Sequence, residues 1–433
     1  MSKLIVRGGK ALRGSVTPIP NKNSFLAALP AALLTSKEII YKNVPDTSDL
    51  KKLFVIMEEL GTIVRREGKD VVLKTPKILT SKINLEKGGE FRGSLLLVGG
   101  LLARTGVAWA PIPGGCDLGM RSIEAHVSIF RKLGVRVKRI GNYAVFTAPK
   151  IYKKEYRVWQ VEASVSATEN AAIYLAGSKS KATIEDAAAE PHVSDLLNLL
   201  ARMGAKVTGM GSNRISIEGG EMVGGVFKAG PDFVDIAGYI VAAGVTKGRI
   251  KIRGANQWEV VGGMRNWFEL FGIKFIEEGK DLIVDGSKGL KFDLEKGGLP
   301  LAAEGLPKLS PRPWPGFPVD VIPVMATLAC KTKGRLLLQN WMYESGLEFV
   351  RELNSMGADI FVSDPQRIII NGGITFKGGE VTPPAVIQSV KACFLAALAD
   401  KGETIINGAD ILQRRYPNIE KVYRSLGAKV ELK

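Results

Sequence analysis

The sequence predicts an α/β protein of two similar domains, built from six repeats of about 70 residues. Six segments share a long apolar residue, a glycine and an alternating strand pattern, at Leu60-Gly61, Leu133-Gly134, Met203-Gly204, Phe271-Gly272, Met356-Gly357 and Leu426-Gly427. Each segment is typical of an amphipathic helix that ends at a glycine, where a positive φ is easy, and is followed by a strand. Because about three stacked repeats are the minimum for a shared core, six repeats favour two domains of three.

A second element precedes each of these segments: a helix rich in Ala, Leu and Gly, a short turn with Lys or Gly, and a strand. FLAALPAALLTSKEIIYKN and CFLAALADKGETIINGA are two examples. The unit is therefore a helix, a strand, a second helix and a strand hairpin, which corresponds to a βαβαββ-like repeat. The small residues of the first helix let it pack closely against its neighbours.

The composition is that of a globular chain with a basic surface. Hydrophobic residues make up 45% and charged residues 24% of the 433 residues, close to the average for soluble domains. Sixty Lys and Arg against 43 Asp and Glu give a formal charge of +17, which favours an anionic partner. Basic residues are spread over the whole chain and aromatic residues total 7%, so we expect no nucleic-acid partner.

The cysteines and the apolar runs indicate the compartment. Cys116, Cys330 and Cys393 are far apart and lack CxxC spacing, so we expect neither a disulfide framework nor a cysteine-rich metal site. The first residues, MSKLIVRGGKALRG, lack an apolar signal core, and the apolar runs elsewhere are short and broken by proline. The sequence therefore predicts a cytoplasmic protein without a membrane segment.

Polar residues recur at one register of the repeats. The turns after the first helix align at Lys37, Gly106, Gly334 and Gly402, and fourteen positions before these turns stand Asn23, Arg92, Asp320 and Gln388. The third and fourth repeats have Ala167 and Val234 there, with Ser164, Ser166 and Asp235 nearby. Free N–H groups at a helix start attract anions, so six such starts converging on one cleft would form a basic, polar pocket. N-capping is the alternative interpretation.

Several local strings resemble those of the enolpyruvyl transferases, and the resemblance covers essentially the whole chain. The strings are PNKNS from Pro20, FRGS from Phe91, PGGCDLGMR from Pro113, SVSAT from Ser164, FPVD from Phe317 and RRY from Arg414. The resemblance implies two similar domains, each an inside-out α/β barrel with three internal helices surrounded by sheets. It places the first domain at 22–230 and the second at 1–21 with 231–433.

The resemblance also implies the reaction. The enolpyruvyl group of phosphoenolpyruvate is transferred to the 3-hydroxyl of UDP-N-acetylglucosamine and phosphate is released, the first committed step of peptidoglycan precursor synthesis. The chemistry requires a general acid, a base for the hydroxyl and fixed cations around phosphate and carboxylate, with no metal and no cofactor. Two alternatives stay open: a related transferase with another acceptor or donor, and a nucleotide-sugar-binding protein without activity.

Motif positions give the implied roles of single residues. Cys116, in a glycine-rich loop beside Arg121, matches a lid cysteine that protonates or adds to phosphoenolpyruvate, although a lone cysteine is more often a small buried apolar residue. Asp320 matches the carboxylate that orients and deprotonates the sugar hydroxyl. Asn23 matches a group that hydrogen-bonds the intermediate.

The matching basic positions are Lys22, Arg92, Arg121 and Arg414, although isolated cations are usually solvated surface. The segment that holds the uridine diphosphate matches Ser164, Val165 and Ser166, with Ser166 in place of a usual glycine.

Two further positions depart from the family pattern. Gly346 stands where an arginine of the phosphoenolpyruvate site is expected, and Gln388 replaces a second arginine. Lys391, one helical turn later, and Arg415 are the candidate replacements for the lost charge. Bidentate arginine contacts are strong and lysine does not reproduce their geometry, so we expect the second-domain half of the pocket to be altered.

Overall fold

The computed structural model describes residues 2–112, 122–150, 153–292, 301–302 and 305–433. The described residues form two compact units. We call the described residues within 20–230 the N-terminal unit, and the described residues within 2–19 and 231–433 the C-terminal unit. Inside the N-terminal unit, the Asn21 N–H donates to the Gly230 carbonyl oxygen, and inside the C-terminal unit the Asp232 N–H donates to that of Ile19, both at 2.9 Å. These bonds bring together the two chain ends of each unit.

The chain begins with two strands of the C-terminal unit, β1 (Lys3–Arg7) and β2 (Arg13–Val16). The elements of the N-terminal unit follow in chain order: α1 (Lys22–Ala28), β3 (Glu38–Lys42), α2 (Ser48–Glu59), β4 (Ile63–Glu67), β5 (Asp70–Lys74), α3 (Leu85–Gly89), α4 (Leu97–Thr105), β6 (Val107–Pro111), α5 (Glu124–Lys132), β7 (Arg136–Ile140), β8 (Tyr143–Thr147), β9 (Glu155–Trp159), α6 (Val165–Ala176), β10 (Lys181–Glu185), α7 (Pro191–Arg202), β11 (Lys206–Thr208), β12 (Arg214–Glu218) and β13 (Gly225–Lys228). Two 3-10 helices, Leu29–Leu34 and Arg92–Leu96, extend α1 and lead into α4.

The remaining elements belong to the C-terminal unit: α8 (Phe233–Val245), β14 (Arg249–Ile252), α9 (Trp258–Leu270), β15 (Lys274–Glu278), β16 (Asp281–Asp285), β17 (Lys308–Leu309), α10 (Ile322–Lys331), β18 (Arg335–Gln339), α11 (Val350–Ser355), β19 (Asp359–Asp364), β20 (Arg367–Asn371), β21 (Gly379–Val381), α12 (Ile387–Ala399), β22 (Glu403–Asn407), α13 (Ile419–Ser425) and β23 (Lys429–Leu432). Two 3-10 helices, Val319–Val321 and Ala409–Arg414, precede α10 and α13.

One strand order recurs in the sheets. The N-terminal unit has β13-β3-β5-β4, β6-β8-β7 and β11-β12-β10-β9, and the C-terminal unit has β15-β16-β14-β2, β17-β18-β20-β19 and β21-β22-β1-β23. In five sheets the strand after the first helix pairs in parallel with one outer strand and antiparallel with the inner strand of the hairpin. In the remaining sheet, β6-β8-β7, a single parallel bridge between Lys82 and Trp109 of β6 stands in place of the outer parallel strand. The predicted repeat and fold class are confirmed.

The sixth repeat is completed by the other end of the chain. β1 pairs antiparallel with both β22 and β23, so it takes the place that the second hairpin strand has in the other repeats. The prediction of a local strand hairpin is therefore wrong for this repeat, because its hairpin partner comes from the first residues of the chain. Ile5 of β1, for example, lies opposite Ile405 and Glu431.

The helix-stop glycines behave as predicted. The six glycines that follow the second helix of each repeat all have positive φ, between 84° and 120°. A left-handed residue at C′ ends a helix and turns the chain towards the next strand, and glycine adopts it without a Cβ clash. The recurring residue pair in the sequence is therefore the helix-to-strand turn of each repeat.

The first helices of the repeats form the cores. Every residue of α8 is buried, as are Ala167–Ala176 of α6 and Gln388–Ala399 of α12. Small residues permit close helix contacts: a Cβ on Gly99 of α4 would lie 2.3 Å from the carbonyl oxygen of Asn170 on α6. Each core therefore places the starts of these helices at fixed positions, and the candidate site is built on them.

Candidate active site

The four polar residues that share one register of the repeats lie at helix starts, but they do not cap these helices. Asn23 is the second residue of α1 and Arg92 the first of its 3-10 helix. Asp320 is the middle residue of the 3-10 helix before α10, and Gln388 is the second residue of α12. The N-cap positions are held by the preceding residues Asn21, Phe91, Pro318 and Val386. The capping interpretation is wrong for all four, so their side chains are not committed to their own helix start.

Lys22 lies in a buried ion pair of the N-terminal unit. Its Nζ donates to Asp49 Oδ2 at 2.8 Å, and the two side chains are 8% and 5% exposed. Asn21 accepts the N–H groups of Asn23 and Ser24 and so fixes the start of α1 beneath Lys22. Asp49 was not predicted as a site residue, and its only signal in the sequence is its place in the first turn of α2.

Arg92, His126 and Ser166 come from three elements of the N-terminal unit. Arg92 Nη2 donates to the carbonyl oxygen of Ser122 at 3.0 Å, and His126 Nε2 lies 3.0 Å from Ser166 Oγ. Burial, followed by the positive charge of Arg92, lowers the pKa of His126 to about 3. The imidazole is therefore neutral at physiological pH. The 3-10 helix of Arg92 contacts both α1 and α6, so these three elements are neighbours in the N-terminal unit.

The predicted nucleotide segment forms the start of α6. Ser164 is the N-cap and its side chain makes no capping hydrogen bond, while Val165 and Ser166 form the first turn. The Ser164 carbonyl oxygen accepts from both the N–H and the hydroxyl of Thr168. All three predicted residues are half-buried, so they are anchored by the helix and still reach the surface.

Asp320 of the C-terminal unit lies beside a buried arginine. Arg415 donates from Nε and Nη2 to the two oxygens of Asp232, both at 2.8 Å, and its Nη1 lies 3.8 Å from Asp320 Oδ2. Asp232 also caps α8 by accepting the N–H groups of Val234 and Asp235. Tyr343 Oη donates to Asp320 Oδ1 at 3.4 Å. Asp320 is 34% exposed, whereas Arg415 is 4% exposed, so the carboxylate is accessible and the guanidinium is not.

Lys391 is enclosed by aromatic rings. Its Nζ lies 4.4 to 5.8 Å from the ring centroids of Tyr239, Phe394, Tyr416 and Tyr423. It is 1% exposed, and burial lowers its pKa to about 8 despite the opposing charges of Asp235 and Asp232. Burial likewise raises the pKa of Asp235 to about 6. Lys391 is therefore a buried cation that feels the charges of Asp235 and Asp232, and its Nζ has no hydrogen-bond partner among the described residues.

The two residues that replace expected arginines, Gly346 and Gln388, are tightly packed. Gly346 accepts a hydrogen bond from Asn340 Nδ2 through its carbonyl oxygen, and a Cβ on Gly346 would lie 2.3 Å from that nitrogen. Gln388 is buried and its Nε2 donates to Tyr416 Oη at 3.4 Å. Arg414 is exposed at the end of its 3-10 helix. The two candidate replacements are both buried: Arg415 is paired with Asp232, whereas Lys391 Nζ has no hydrogen-bond partner among the described residues.

Two predicted site residues, Cys116 and Arg121, lie outside the described residues. The other two cysteines, Cys330 and Cys393, are buried, and burial raises the pKa of both thiols, that of Cys330 to about 12. In the described ranges, no cluster of three or more His, Cys, Asp or Glu has a geometry suited to a metal ion. The described helices are all too short or too polar to cross a membrane.

Comparison with solved structures defines the class of fold. The enolpyruvyl transferase NikO from Streptomyces tendae superposes with a TM-score of 0.84 at 18% identity, over 100% of this chain and 99% of that chain. EPSP synthase from Acinetobacter baumannii superposes with a TM-score of 0.73 at 16% identity, over the whole of both chains. The fold is therefore that of the enolpyruvyl transferases.

Sequence comparison defines the family. The model of EPSP synthase (3-phosphoshikimate 1-carboxyvinyltransferase) matches residues 6–423. Two curated proteins named UDP-N-acetylglucosamine 1-carboxyvinyltransferase are each 35% identical to this chain. The protein from Treponema denticola aligns over 100% of both chains, and that from Bradyrhizobium diazoefficiens over 99% of this chain and 97% of its own. The chain belongs to the EPSP synthase family, and the predicted class of transferase is confirmed.

Proposed function

We propose that the protein transfers the enolpyruvyl group of phosphoenolpyruvate to the 3-hydroxyl of UDP-N-acetylglucosamine in the cytoplasm, as the first committed step of peptidoglycan precursor synthesis. The observation that carries this proposal is the full-length similarity, at 31–35% identity, to proteins named UDP-N-acetylglucosamine 1-carboxyvinyltransferase. The domains of the proposal are 22–230 and 1–21 with 231–433.

The reaction needs one acid and one base. Cys116 gives a proton to the methylene carbon of phosphoenolpyruvate, while the 3-hydroxyl oxygen bonds to C2 and passes its proton to Asp320. The Cys116 thiolate then takes a proton back from the methyl group of the ketal as the C2–O bond to phosphate breaks, which restores the double bond and releases phosphate, and Asp320 returns its proton to the solvent. The accessible carboxylate of Asp320, held by Tyr343 and next to Arg415, supports its role as base.

The remaining predicted site residues bind and orient the substrates. Lys22, Arg92, Arg121 and Arg414 supply positive charge for the phosphate and carboxylate, and Asn23 hydrogen-bonds the intermediate. Ser164, Val165 and Ser166 hold the diphosphate at the start of α6, where unpaired N–H groups and the helix dipole favour an anion. The Lys22–Asp49 pair fixes the lysine side chain at the start of α1.

Phosphate release tests the proposal directly. We expect the purified protein to release phosphate only when both substrates are present, Cys116→Ala to lose this activity, and Cys116→Asp to retain it, because some family members have an aspartic acid there. Cys330→Ala is the matched control, because Cys330 is buried in α10, and it should keep wild-type activity. No phosphate release under any condition would contradict the proposal.

Gly346 and Gln388 favour a second candidate. Without the two expected arginines the phosphoenolpyruvate side is altered, which fits a transferase with another donor or acceptor, or a nucleotide-sugar-binding protein without activity. Calorimetry with each ligand separately distinguishes these candidates. UDP-N-acetylglucosamine binding that phosphoenolpyruvate does not affect favours the inactive protein.

A further inference from the structure

A chain of hydrogen bonds runs from α4 through Asn170 and His126 to Ser166. The Gly99 N–H donates to Asn170 Oδ1 at 2.6 Å, and Asn170 Nδ2 donates to the Leu95 carbonyl oxygen at 2.8 Å. Asn170 Nδ2 also lies 3.2 Å from His126 Nδ1, and His126 Nε2 lies 3.0 Å from Ser166 Oγ. All these residues belong to the N-terminal unit.

Two backbone groups set the donor-to-acceptor direction of these hydrogen bonds. An N–H group can only donate and a carbonyl oxygen can only accept, so Gly99 and Leu95 together fix which end of the Asn170 amide is nitrogen. One hydrogen of Nδ2 goes to Leu95, and the other points to His126 Nδ1. Nδ1 must therefore present its lone pair.

The proton of His126 is consequently on Nε2. His126 is 1% exposed and its pKa lies at about 3, lowered by burial and by the charge of Arg92, so the ring is neutral and has a single N–H. With Nδ1 accepting from Asn170, that N–H donates to Ser166 Oγ. The tautomer is selected by groups buried behind the site.

Ser166 thereby becomes a donor. Its oxygen accepts from His126, and its own hydrogen is available to a group at the start of α6, where Ser166 is half-buried. A hydroxyl that already accepts a hydrogen bond is polarised and donates more strongly. A glycine at this position, usual in the family, would offer no such hydrogen.

We infer that His126 is a positioning residue that orients Ser166 to donate a hydrogen bond to the diphosphate of the nucleotide substrate. This inference rests on the proposed function. It deepens that function by assigning the recognition of a nucleoside diphosphate to a side chain, in addition to the backbone N–H groups of the helix start. The expected ligand class is a nucleoside diphosphate or its sugar ester, in preference to a nucleoside monophosphate.

Binding measurements on single and double variants test the inference. We expect Ser166→Ala to raise the Kd of UDP-N-acetylglucosamine and of UDP about tenfold, the size of one hydrogen bond to a charged group, and to change the Kd of UMP less. His126→Phe should raise the Kd for UDP by a similar factor, and the double variant by no more than the larger single effect. Ser166→Thr, which keeps the hydroxyl, should bind as the wild type does.

The control and the kinetic constants separate positioning from a general structural role. Ser216→Ala is the control, because Ser216 is also half-buried in this unit and accepts a side-chain hydrogen bond, from Thr183, so its Kd should not change. KM for the nucleotide sugar should rise in Ser166→Ala, while kcat and KM for phosphoenolpyruvate stay at wild-type values. If His126→Phe does not fold, the difference in the Kd of UDP between Ser166→Ala and Ser166→Thr tests whether the Ser166 hydroxyl donates to the diphosphate.

The possible failures are distinguishable. If the wild-type protein binds UDP-N-acetylglucosamine and Ser166→Ala binds it equally well, the inference is wrong and the proposed function stands. Additive losses in the double variant, or equal losses for UMP and UDP, would also overturn the inference. A wild-type protein that binds no uridine nucleotide overturns both.

Discussion

The two units use the polar residues near their helix starts in different ways. In the N-terminal unit, Asn23, Arg92 and Ser166 are half-buried at the surface, with buried partners such as His126 behind them. In the C-terminal unit, Gln388, Lys391 and Arg415 are themselves buried, and Asp232 and Asp235 face the two cations. The repeat therefore carries several accessible polar residues at the helix starts of the N-terminal unit, beside the buried Lys22–Asp49 pair, and a buried polar cluster in the C-terminal unit.

This difference teaches that the number of cations near a helix start is a poor measure of anion binding. Lys391 lies one helical turn after Gln388, and Arg415 follows Arg414 of the predicted site. Arg415 is paired with Asp232, Lys391 is enclosed by aromatic rings, and each side chain is almost fully buried. The Arg415 guanidinium compensates a fully buried carboxylate, and neither Arg415 nor Lys391 has an accessible surface on which an anion could bind. The three predictions below test whether these C-terminal residues are structural.

The largest effect is expected for the Arg415–Asp232 pair. Arg415→Met leaves the fully buried Asp232 carboxylate without its bidentate partner, so we expect the free energy of unfolding to fall by about 3–5 kcal/mol. Urea unfolding followed by circular dichroism measures the loss. The control is Arg7→Met, which removes an exposed pair with Glu403 and should cost under about 1 kcal/mol. A small stability loss in Arg415→Met, combined with weaker phosphoenolpyruvate binding, would instead place Arg415 in the ligand site.

The next effect is a pH dependence that comes from Lys391. Its pKa is about 8 in the folded protein and 10.5 as the ordinary value, so between these pH values the unfolded chain binds more protons. The stability of the wild type should therefore rise with pH from 8 to 10.5, relative to Lys391→Met, by up to about 3 kcal/mol. Urea unfolding at several pH values measures this difference.

Lys401→Met is the control for this titration, because Lys401 is exposed just after α12 and its removal should leave the pH curve parallel to that of the wild type. The charged groups that face Lys391 are Asp232, Asp235 and Arg415, and the four aromatic rings enclose it. Parallel curves for wild type and Lys391→Met would show that the lysine has the same pKa in the folded and unfolded chain and is not desolvated by folding.

The smallest effect is expected at Gly346. In Gly346→Ala the new Cβ meets Asn340 Nδ2 at 2.3 Å, so we expect a loss of about 1–3 kcal/mol in the free energy of unfolding. Combining it with Asn340→Ala, which removes the clashing amide, should make the double variant more stable than the sum of the single losses predicts. Gly89→Ala is the control, since its Cβ has no neighbour closer than 4.0 Å. Strict additivity would mean that Asn340 does not exclude a side chain at position 346.

The sequence predicted the helix-start positions of the site residues, but it did not predict which side chains pair with them. The helix-start positions of Asn23, Arg92, Asp320 and Gln388 were predicted, because repeat length and helix periodicity are local properties. The capping interpretation was wrong because the preceding residues take the cap positions. The Arg415–Asp232 pair joins residues 183 positions apart, and no spacing rule connects them.

The sequence by itself determined the six repeats, the glycine turns that end their second helices and the resemblance to the enolpyruvyl transferases. These depend on backbone conformation and on periodic burial, which each segment specifies for itself. Only the tertiary structure decided that β1 completes the sixth repeat, that the amide of Asn170 selects the tautomer of His126, and that Lys391 is enclosed by aromatic rings. The physical reason is that strand pairing, hydrogen-bond direction and desolvation all depend on which distant residues the folded chain brings together.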